Sequence, residues 1–229
     1  DWDKLWSMNR KLILKTCHRV MSVSEEEKIP LNIQGIEGEG EFETNVLQTD
    51  PKQGTKKLYT APMVWIPVYD AQQPGFEVGK KATLCHWSNI MIDAINKEGD
   101  KIVSVDAHHL PDDKNFTNTP KLNWIHPTKN TKIIMREWNH LLKVKQLGEN
   151  QDVLDALSDI PFADTVLYCD TSLEQAKKGE IFQLERRAEI IVDQPAQNEP
   201  AMTFLIPSGF QKKSMGLPTK IVLFTPEDD

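Results

Sequence analysis

Long apolar runs are missing from this chain: no stretch approaches the roughly 20 consecutive apolar residues that a membrane-spanning helix needs. The charged opening Asp1-Trp2-Asp3-Lys4 is not expected to be a secretory signal. Cysteine is scarce. Cys17, Cys85 and Cys169 stand far apart with no C-x-x-C, which excludes a disulfide framework and a thiolate zinc site and fits a reducing, cytoplasmic setting. Catalytic signatures are missing too. There is no HExxH, no GxSxG elbow, no GxxxxGK[ST] loop and no GxGxxG. His108-His109 lies near Asp106 and Asp112, but adjacent strand residues point to opposite faces, so the two rings do not converge on one metal. The glycines of Gly35-Ile36-Glu37-Gly38-Glu39-Gly40 alternate with carboxylates that repel a phosphate. The residues therefore nominate no catalytic group, no metal and no cofactor.

What is present is charge, unevenly spread. Lys and Arg number 27 against 34 Asp and Glu, a net charge of −7 over 229 residues. An acidic chain is not a general polyanion binder, because such affinity comes from neutralising phosphates with a basic surface; any nucleic-acid role has to be local. Between Lys114 and Lys145 seven cations face one acid, Glu137, whereas Glu149 to Glu174 holds seven acids and no cation. The basic block also carries Trp124, Trp138, His126 and His140, a mixture of cations and rings suited to unpaired nucleotides. A strand that places Lys in solvent and Trp in the core accounts for the same residues.

Fourteen Pro and eleven Gly punctuate short apolar runs. Strands are expected at 29–33, 58–68, 82–84, 90–95, 102–105, 122–125, 132–135, 180–184, 190–192 and 202–206, with a hairpin at Lys97-Glu98-Gly99-Asp100. An amphipathic helix with Trp2, Leu5, Trp6, Asn9, Leu12 and Ile13 on one face is expected to open the chain, as the interior of a longer protein or as a native terminus packing on its own chain. Residues 34–57 read as a long loop, and helices are expected at 151–159 and 172–178, the latter with Ser172 and Gln175 as a capping box and Gly179 past its end. The fold class is mainly β: two small β-barrels with an N-terminal helix and short helical connections. The expected division is 1–28 helical linker, 29–135 first (proximal) barrel region, 136–178 helical connection and 179–229 second (distal) barrel region, with the chain crossing between barrels.

The segment Lys178-Gly179-Glu180-Ile181-Phe182-Gln183-Leu184-Glu185-Arg186-Arg187 is the most informative. As a strand it puts Ile181, Gln183 and Glu185 on one face and Phe182, Leu184 and Arg186 on the other. Gln183 both donates and accepts, and the two Arg offer planar forks that read bases and clamp phosphates; pairing of Arg186 with Glu185 or Glu189 is the plainer account. Together with Ile191-Val192-Asp193-Gln194-Pro195, the segment resembles the distal-barrel signature of the glutamyl-tRNA and glutaminyl-tRNA synthetases. The opening Asp1-Trp2-Asp3-Lys4-Leu5-Trp6-Ser7-Met8-Asn9-Arg10-Lys11 is similar to the WDK-x-W-x-x-N-K-K segment that follows the catalytic part of eukaryotic-type glutamyl enzymes. Gly79-Lys80-Lys81-Ala82-Thr83-Leu84, Trp87-x-Asn89, Lys101 to Ala107 and Lys121-Leu122-Asn123-Trp124 fall in the family order. The resemblance covers nearly the whole chain.

That resemblance implies the family's C-terminal anticodon-binding region, with two ribosomal-protein-like anticodon-binding barrels. Its parent would be a cytoplasmic, ATP- and Mg-dependent glutamate-tRNA ligase. This chain, lacking HIGH-like and KMSKS-like motifs, would be inactive alone and would need no cofactor. The implied partners are the anticodon stem-loop of glutamate tRNA, the protein's own catalytic domain, and other synthetases or a scaffold protein, with no membrane. Gln183 and Arg186 match positions that contact anticodon bases, and Lys56 falls near a basic position that does so from the first barrel. Trp87 and Trp124 are the implied stacking rings. Asn89 and Arg187 complete the implied tRNA-binding set with Lys121, which would join Lys129 and Lys132 on phosphates. Contacts of the glutaminyl branch fall at Pro74, Gly75 and Cys85, where no cation stands, which favours the glutamyl branch. Leu14-Lys15-Thr16-Cys17-His18-Arg19 departs from the family's I-D-P-x-x-P-R, keeping only the Arg. The alternatives are a glutaminyl enzyme, a multi-synthetase interaction module using Glu149 to Glu174 as a docking face, and, more distantly, a hydrolase with scattered carboxylates.

Overall fold

The computed structural model describes residues 2–47, 50–144, 147–197 and 199–208. Lys145 of the basic block and residues 209–229 of the expected second barrel region lie outside the described residues, as do the side chains of Trp2 and Asp3 on the opening helix. Helix α1 (Trp2–Ile13) is followed by strands β1 (His18–Val20), β2 (Ser22–Ser24), β3 (Lys28–Gln34), β4 (Gly40–Asn45), β5 (Thr55–Thr60), β6 (Met63–Pro67), β7 (Lys81–Leu84) and β8 (Asn89–Glu98). Then come β9 (Lys101–Leu110), β10 (Lys121–Leu122), β11 (Thr131–Trp138), β12 (Phe162–Cys169), β13 (Ile181–Leu184), β14 (Ala188–Gln194) and β15 (Ala201–Ile206). The mainly β architecture is as expected. Among the described residues no helix is long and apolar enough to cross a membrane.

Two barrels form with the same strand pattern. The first runs β10-β7-β8-β9-β3-β6 and is closed where Trp65 of β6 pairs with Ile125, just past β10. The second runs β1-β13-β14-β15-β11-β12-β2, and β1 and β2 are one stretch of chain interrupted only by Met21, so a single segment closes both edges. Pairing follows one scheme in both. The closing strand is parallel to β7 or β13, a hairpin follows (β7-β8 or β13-β14), and β9 or β15 then lies parallel to β3 or β11. The closing strands are exchanged: β1–β2 precede the first barrel in sequence but complete the second, and residues 121–125 precede most of the second but complete the first. Alternation builds each core. Leu31, Ile66, Leu84, Ile90, Ile92 and Leu122 fill one, and Ile133, Met135, Leu167, Leu184 and Ile190 fill the other. Fully burying side chains of this size contributes about 1.5–3 kcal/mol each.

The two halves also share a register. Asp70 and Asp170, Gly79 and Gly179, and His86 and Arg186 each stand 100 positions apart. Gly79 and Gly179 both have positive φ (74° and 85°), and each donates its N–H across the barrel at 2.8 Å, to Ile92 O and to Val192 O. His86 and Arg186 occupy the same left-handed turn position, at φ 66° and 64°.

Several expectations are corrected. Residues 151–159 form turns, not a helix: Lys143 N donates to Ala156 O (2.8 Å) and Ser158 N to Leu141 O (2.9 Å), so the segment folds back on the chain leaving β11. Nine residues rich in Asp and Ser cannot offset the cost of helix nucleation without a buried face. The helix at 172–178 shrinks to a 3-10 turn, Thr171–Leu173, capped by Asp170 and not by Ser172, with Gly179 in the left-handed conformation beyond it. The presumed connection 136–178 instead contributes the end of β11 and all of β12. The presumed loop 34–57 holds the β4-β5 hairpin, with Val46, Leu47 and Leu58 buried. On α1 the inward face carries Arg10, which pairs with Glu189 (3.1 Å), and buried Ile13; Leu5, Met8 and Leu12 are exposed.

Candidate nucleic-acid interface

The β7-β8 and β13-β14 turns meet where the barrels touch, and the positive φ at their centres turns His86 and Arg186 out of their own strands toward the opposite half. His86 Nε2 lies 2.8 and 2.9 Å from the two carboxylate oxygens of Glu185. Lys56, on β5, sends its ammonium to Asp170 (2.9 Å), Glu185 (3.2 Å) and the carbonyl of Arg19 (2.9 Å). Arg186 makes a two-point contact with Asp70 (3.1 and 3.2 Å) and donates to Lys121 O (2.6 Å) and Gln73 Oε1 (3.4 Å). Asn123 Nδ2 donates to Glu185 O at 3.0 Å. Asp70 and Asp170 are equivalent: each accepts the backbone N–H of a closing strand, Asn123 N at 2.7 Å and Met21 N at 2.9 Å, and each takes a cation from the other half.

Electrostatics follow from this enclosure. Burial works against the charge of Glu185, but the His86 hydrogen bond and the Lys56 charge outweigh it and hold the carboxyl down at about 2. Burial likewise opposes the Lys56 charge, and Asp170 with Glu185 overcomes it, leaving the ammonium above its ordinary value. At Asp70 burial wins and the carboxyl sits above the usual range despite Arg186. Desolvation also lowers Arg187, against the pull of Asp70 and Glu27.

Beside this seam an open polar groove of about 740 Å³ runs between residues 73–81 and 115–120 of the first barrel. Gln73, Lys80, Lys81, Asn115, Thr117, Asn118 and Thr119 supply its neutral and cationic polar groups, and Glu77 one carboxylate. Arg186 reaches its edge through Gln73. Lys81 is held by Asp113 (2.6 Å), whereas exposed Lys80 forms no ion pair among the described residues. Amide, hydroxyl and ammonium groups on one concave surface match the edges and phosphates of an unstacked nucleotide.

Of the eight residues singled out from sequence, the structure gathers Arg186 and Lys121 at this groove. Lys121 donates to Thr119 Oγ1 (2.7 Å) and to the carbonyl of Phe116, fixing the groove's far wall. Lys56 lies in the seam, 5% exposed. Trp124 is a core residue, 1% exposed, donating to Cys85 O, and half-buried Trp87 packs on it with ring centroids 4.9 Å apart. Asn89 is buried and ties Asp113 O and Asn115 O, the groove's outer loop, to the barrel. Gln183 contacts Glu189 at 3.3 Å, and Arg187 is drawn toward Asp70 and Glu27.

The basic block does not form a bare cationic face. Lys129 pairs with Glu39, Lys132 with Glu25, Arg136 with Asp164 and Lys143 with Asp159. His108 pairs with Asp93, and His109 lies against Trp87, so the two rings diverge as expected. Among the described residues no group of three or more His, Cys, Asp or Glu could hold a metal. Sequence reasoning passed over Asp70, Asp170 and His86, and gave Glu185 no role beyond a possible partner for Arg186. The signal that marks three of them is the 100-residue spacing between equivalent positions.

Two models of one family, described as "tRNA synthetases class I (E and Q), anti-codon binding domain", match residues 17–109 and 121–193. Each match begins within a residue of a closing strand, so the two matches coincide with the two repeats. The chain is 29% identical over 228 residues to the bifunctional glutamate/proline-tRNA ligase of Cricetulus griseus, covering 93% of this chain and 15% of that protein. It is 28% identical over 233 residues to the Drosophila melanogaster protein of the same name, covering 100% and 13%. It is 26% identical over 216 residues to the cytoplasmic glutamate-tRNA ligase of Arabidopsis thaliana, covering 91% and 30%. The chain thus spans less than a third of each of these relatives.

Proposed function

Because this chain belongs to the anticodon-binding domain family of the class I glutamyl- and glutaminyl-tRNA synthetases, we propose that it binds the anticodon stem-loop of glutamate tRNA as part of a cytoplasmic glutamate-tRNA ligase. The polar groove beside Arg186 is the observation that carries this reading. It is concave, its donors and acceptors come from the first barrel with Arg186 of the second at its edge, and Glu77 is the one carboxylate among its lining residues. Unstacked bases would be read by Gln73, Asn115 and Arg186, with Lys80 and Lys81 on phosphates; Asn89 and Lys121 hold the groove's outer loop, while Trp87 and Trp124 belong to the core of the first barrel. Lys56 and Arg187 act across the seam between the barrels, and Gln183 within the second barrel, against Glu189. ATP and Mg would be handled by the remainder of such a ligase, and this chain would supply selection of the tRNA without activating glutamate. The exposed Leu5, Met8 and Leu12 stripe on α1 suits contact with that catalytic part.

The glutamyl assignment rests on relatives named as glutamate-tRNA ligases. The experiment is a filter-binding titration of the chain with glutamate tRNA and with the same tRNA carrying a glutamine anticodon, at two salt concentrations. The expected result is tighter, salt-sensitive binding of the first. Preference for the second would reassign the chain to the glutaminyl branch, and equal affinities, or none at low salt, would refute anticodon recognition. A lost Arg-to-base contact weakens binding by about 1–3 kcal/mol, on the scale of Arg contacts to DNA bases.

A further inference from the structure

The two repeats carry an insertion at the same place, and the two insertions differ in what covers them. Between β3 and β6 the insertion is the β4-β5 hairpin, whose Val46, Leu47 and Leu58 are buried and whose Lys56 reaches the second barrel. Between β11 and β12 the described residues of the insertion, 139–144 and 147–161, form two arms joined by the Leu142–Leu157 bridge. Leu141 (68%), Leu154 (72%) and Ile160 (51%) stand in solvent, and Trp138 (54%) at their base touches Phe162 and Phe204 with the Arg136 guanidinium 5.8 Å from its ring centre. Exposed apolar side chains on a single projecting element mark an interaction surface.

Charge selects the occupant. Glu149, Asp152, Asp155 and Asp159 are all exposed on the same arms, and among the described residues only Asp159 is ion-paired, to Lys143. Carboxylates repel a phosphate backbone, which argues against RNA. A second copy would set the same carboxylates against each other across a two-fold interface, since such an interface juxtaposes identical patches. A protein segment with an apolar row flanked by Lys and Arg matches both features.

We propose that the described arms 139–144 and 147–161 between β11 and β12 are a docking element for a basic amphipathic segment of a partner protein, separate from the RNA groove. The apolar row of the partner lies on Leu141, Leu154 and Ile160, and its cations meet Asp152 and Asp155.

The test uses the full chain and a fluorescein-labelled 18-residue amphipathic Leu/Lys peptide, followed by anisotropy, beside a Leu/Glu peptide of equal hydrophobicity and a scrambled Leu/Lys peptide. Binding of the first at least tenfold tighter than either control, weakened at least tenfold by L141S/L154S and by D152N/D155N, is the expected result. All four positions are exposed, so the variants should keep the wild-type circular dichroism, and their tRNA affinity should be unchanged. Equal binding of the three peptides, no binding, or insensitivity to the substitutions would overturn the proposal. Weaker tRNA binding by the variants would make the arms an RNA surface, and concentration-dependent dimerisation abolished by L141S/L154S would make them a self-association surface.

Discussion

Replacing Lys56 by Met probes the seam most directly. The ammonium is almost wholly enclosed, and its partners Asp170 and Glu185 have side chains only 5% and 11% exposed. Met matches the stem of Lys but leaves two buried carboxylates without their shared cation. Removing one member of a buried ion pair costs about 3–5 kcal/mol, because the stranded charge keeps its desolvation penalty. For a chain of this size, about 2–4 °C of Tm per kcal/mol gives a drop of roughly 10 °C. Urea titrations followed by tryptophan fluorescence and circular dichroism measure the loss. Their pH dependence identifies its origin. In K56M Glu185 loses one of the two cations that hold its carboxyl down, so lowering the pH neutralises it sooner than in wild type and the deficit shrinks. A loss below about 1 kcal/mol, or one unchanged between pH 7 and pH 4.5, would refute the buried-charge account.

Glu185 sits at about 2 in the folded protein against 4.5 ordinarily. A depressed carboxyl contributes stability that is present above 4.5 and is lost as pH falls toward 2, here about 3 kcal/mol. E185Q should therefore flatten the acid limb of the stability profile between those values, and an unchanged limb would contradict the assignment. Gly79 and Gly179 have positive φ, and an added Cβ at either meets nothing within 4 Å. G79A and G179A should each cost about 1 kcal/mol in urea unfolding through backbone strain alone. G38A, equally open but without positive φ, should cost less, and equal losses at all three sites would remove the conformational explanation. Burial raises all three thiols, Cys85 to about 12 and Cys169 well above its ordinary value. Ellman's reagent at pH 8 should label none of them quickly in the native protein and all three in urea; prompt native labelling would show that the cores open readily.

The short strands were legible where β-branched and aliphatic residues sit between turn residues, as at Ile90 and Ile190. Strands with few apolar residues were not. Gly40 to Asn45 has only Phe42 to mark it, and His18 to Ser24 is too short to show a period. Of the two misplaced helices, 151–159 buries only Ala156, whereas 172–178 buries Leu173 and Ala176 without extending beyond a 3-10 turn. At the candidate site, Arg186 and Lys121 were nominated from the sequence and stand at the groove. Lys56 was nominated as an RNA contact because it falls near a basic family position that contacts the anticodon, and only the position of the second barrel shows the two carboxylates that enclose it.

The sequence by itself determined the class of the protein: many short amphipathic strands, no catalytic constellation, and motifs whose order carries the family. It also contained the duplication, in Asp70 and Asp170, Gly79 and Gly179, and the paired apolar positions around them. Tertiary structure alone decided which closing strand completes which barrel, and which charges are spent inside. Strand alternation is set by neighbours in the chain, whereas the carboxylate partners of Lys56 and Arg186 lie more than a hundred residues away and come within 3.3 Å only because each half donates its first strand to the other.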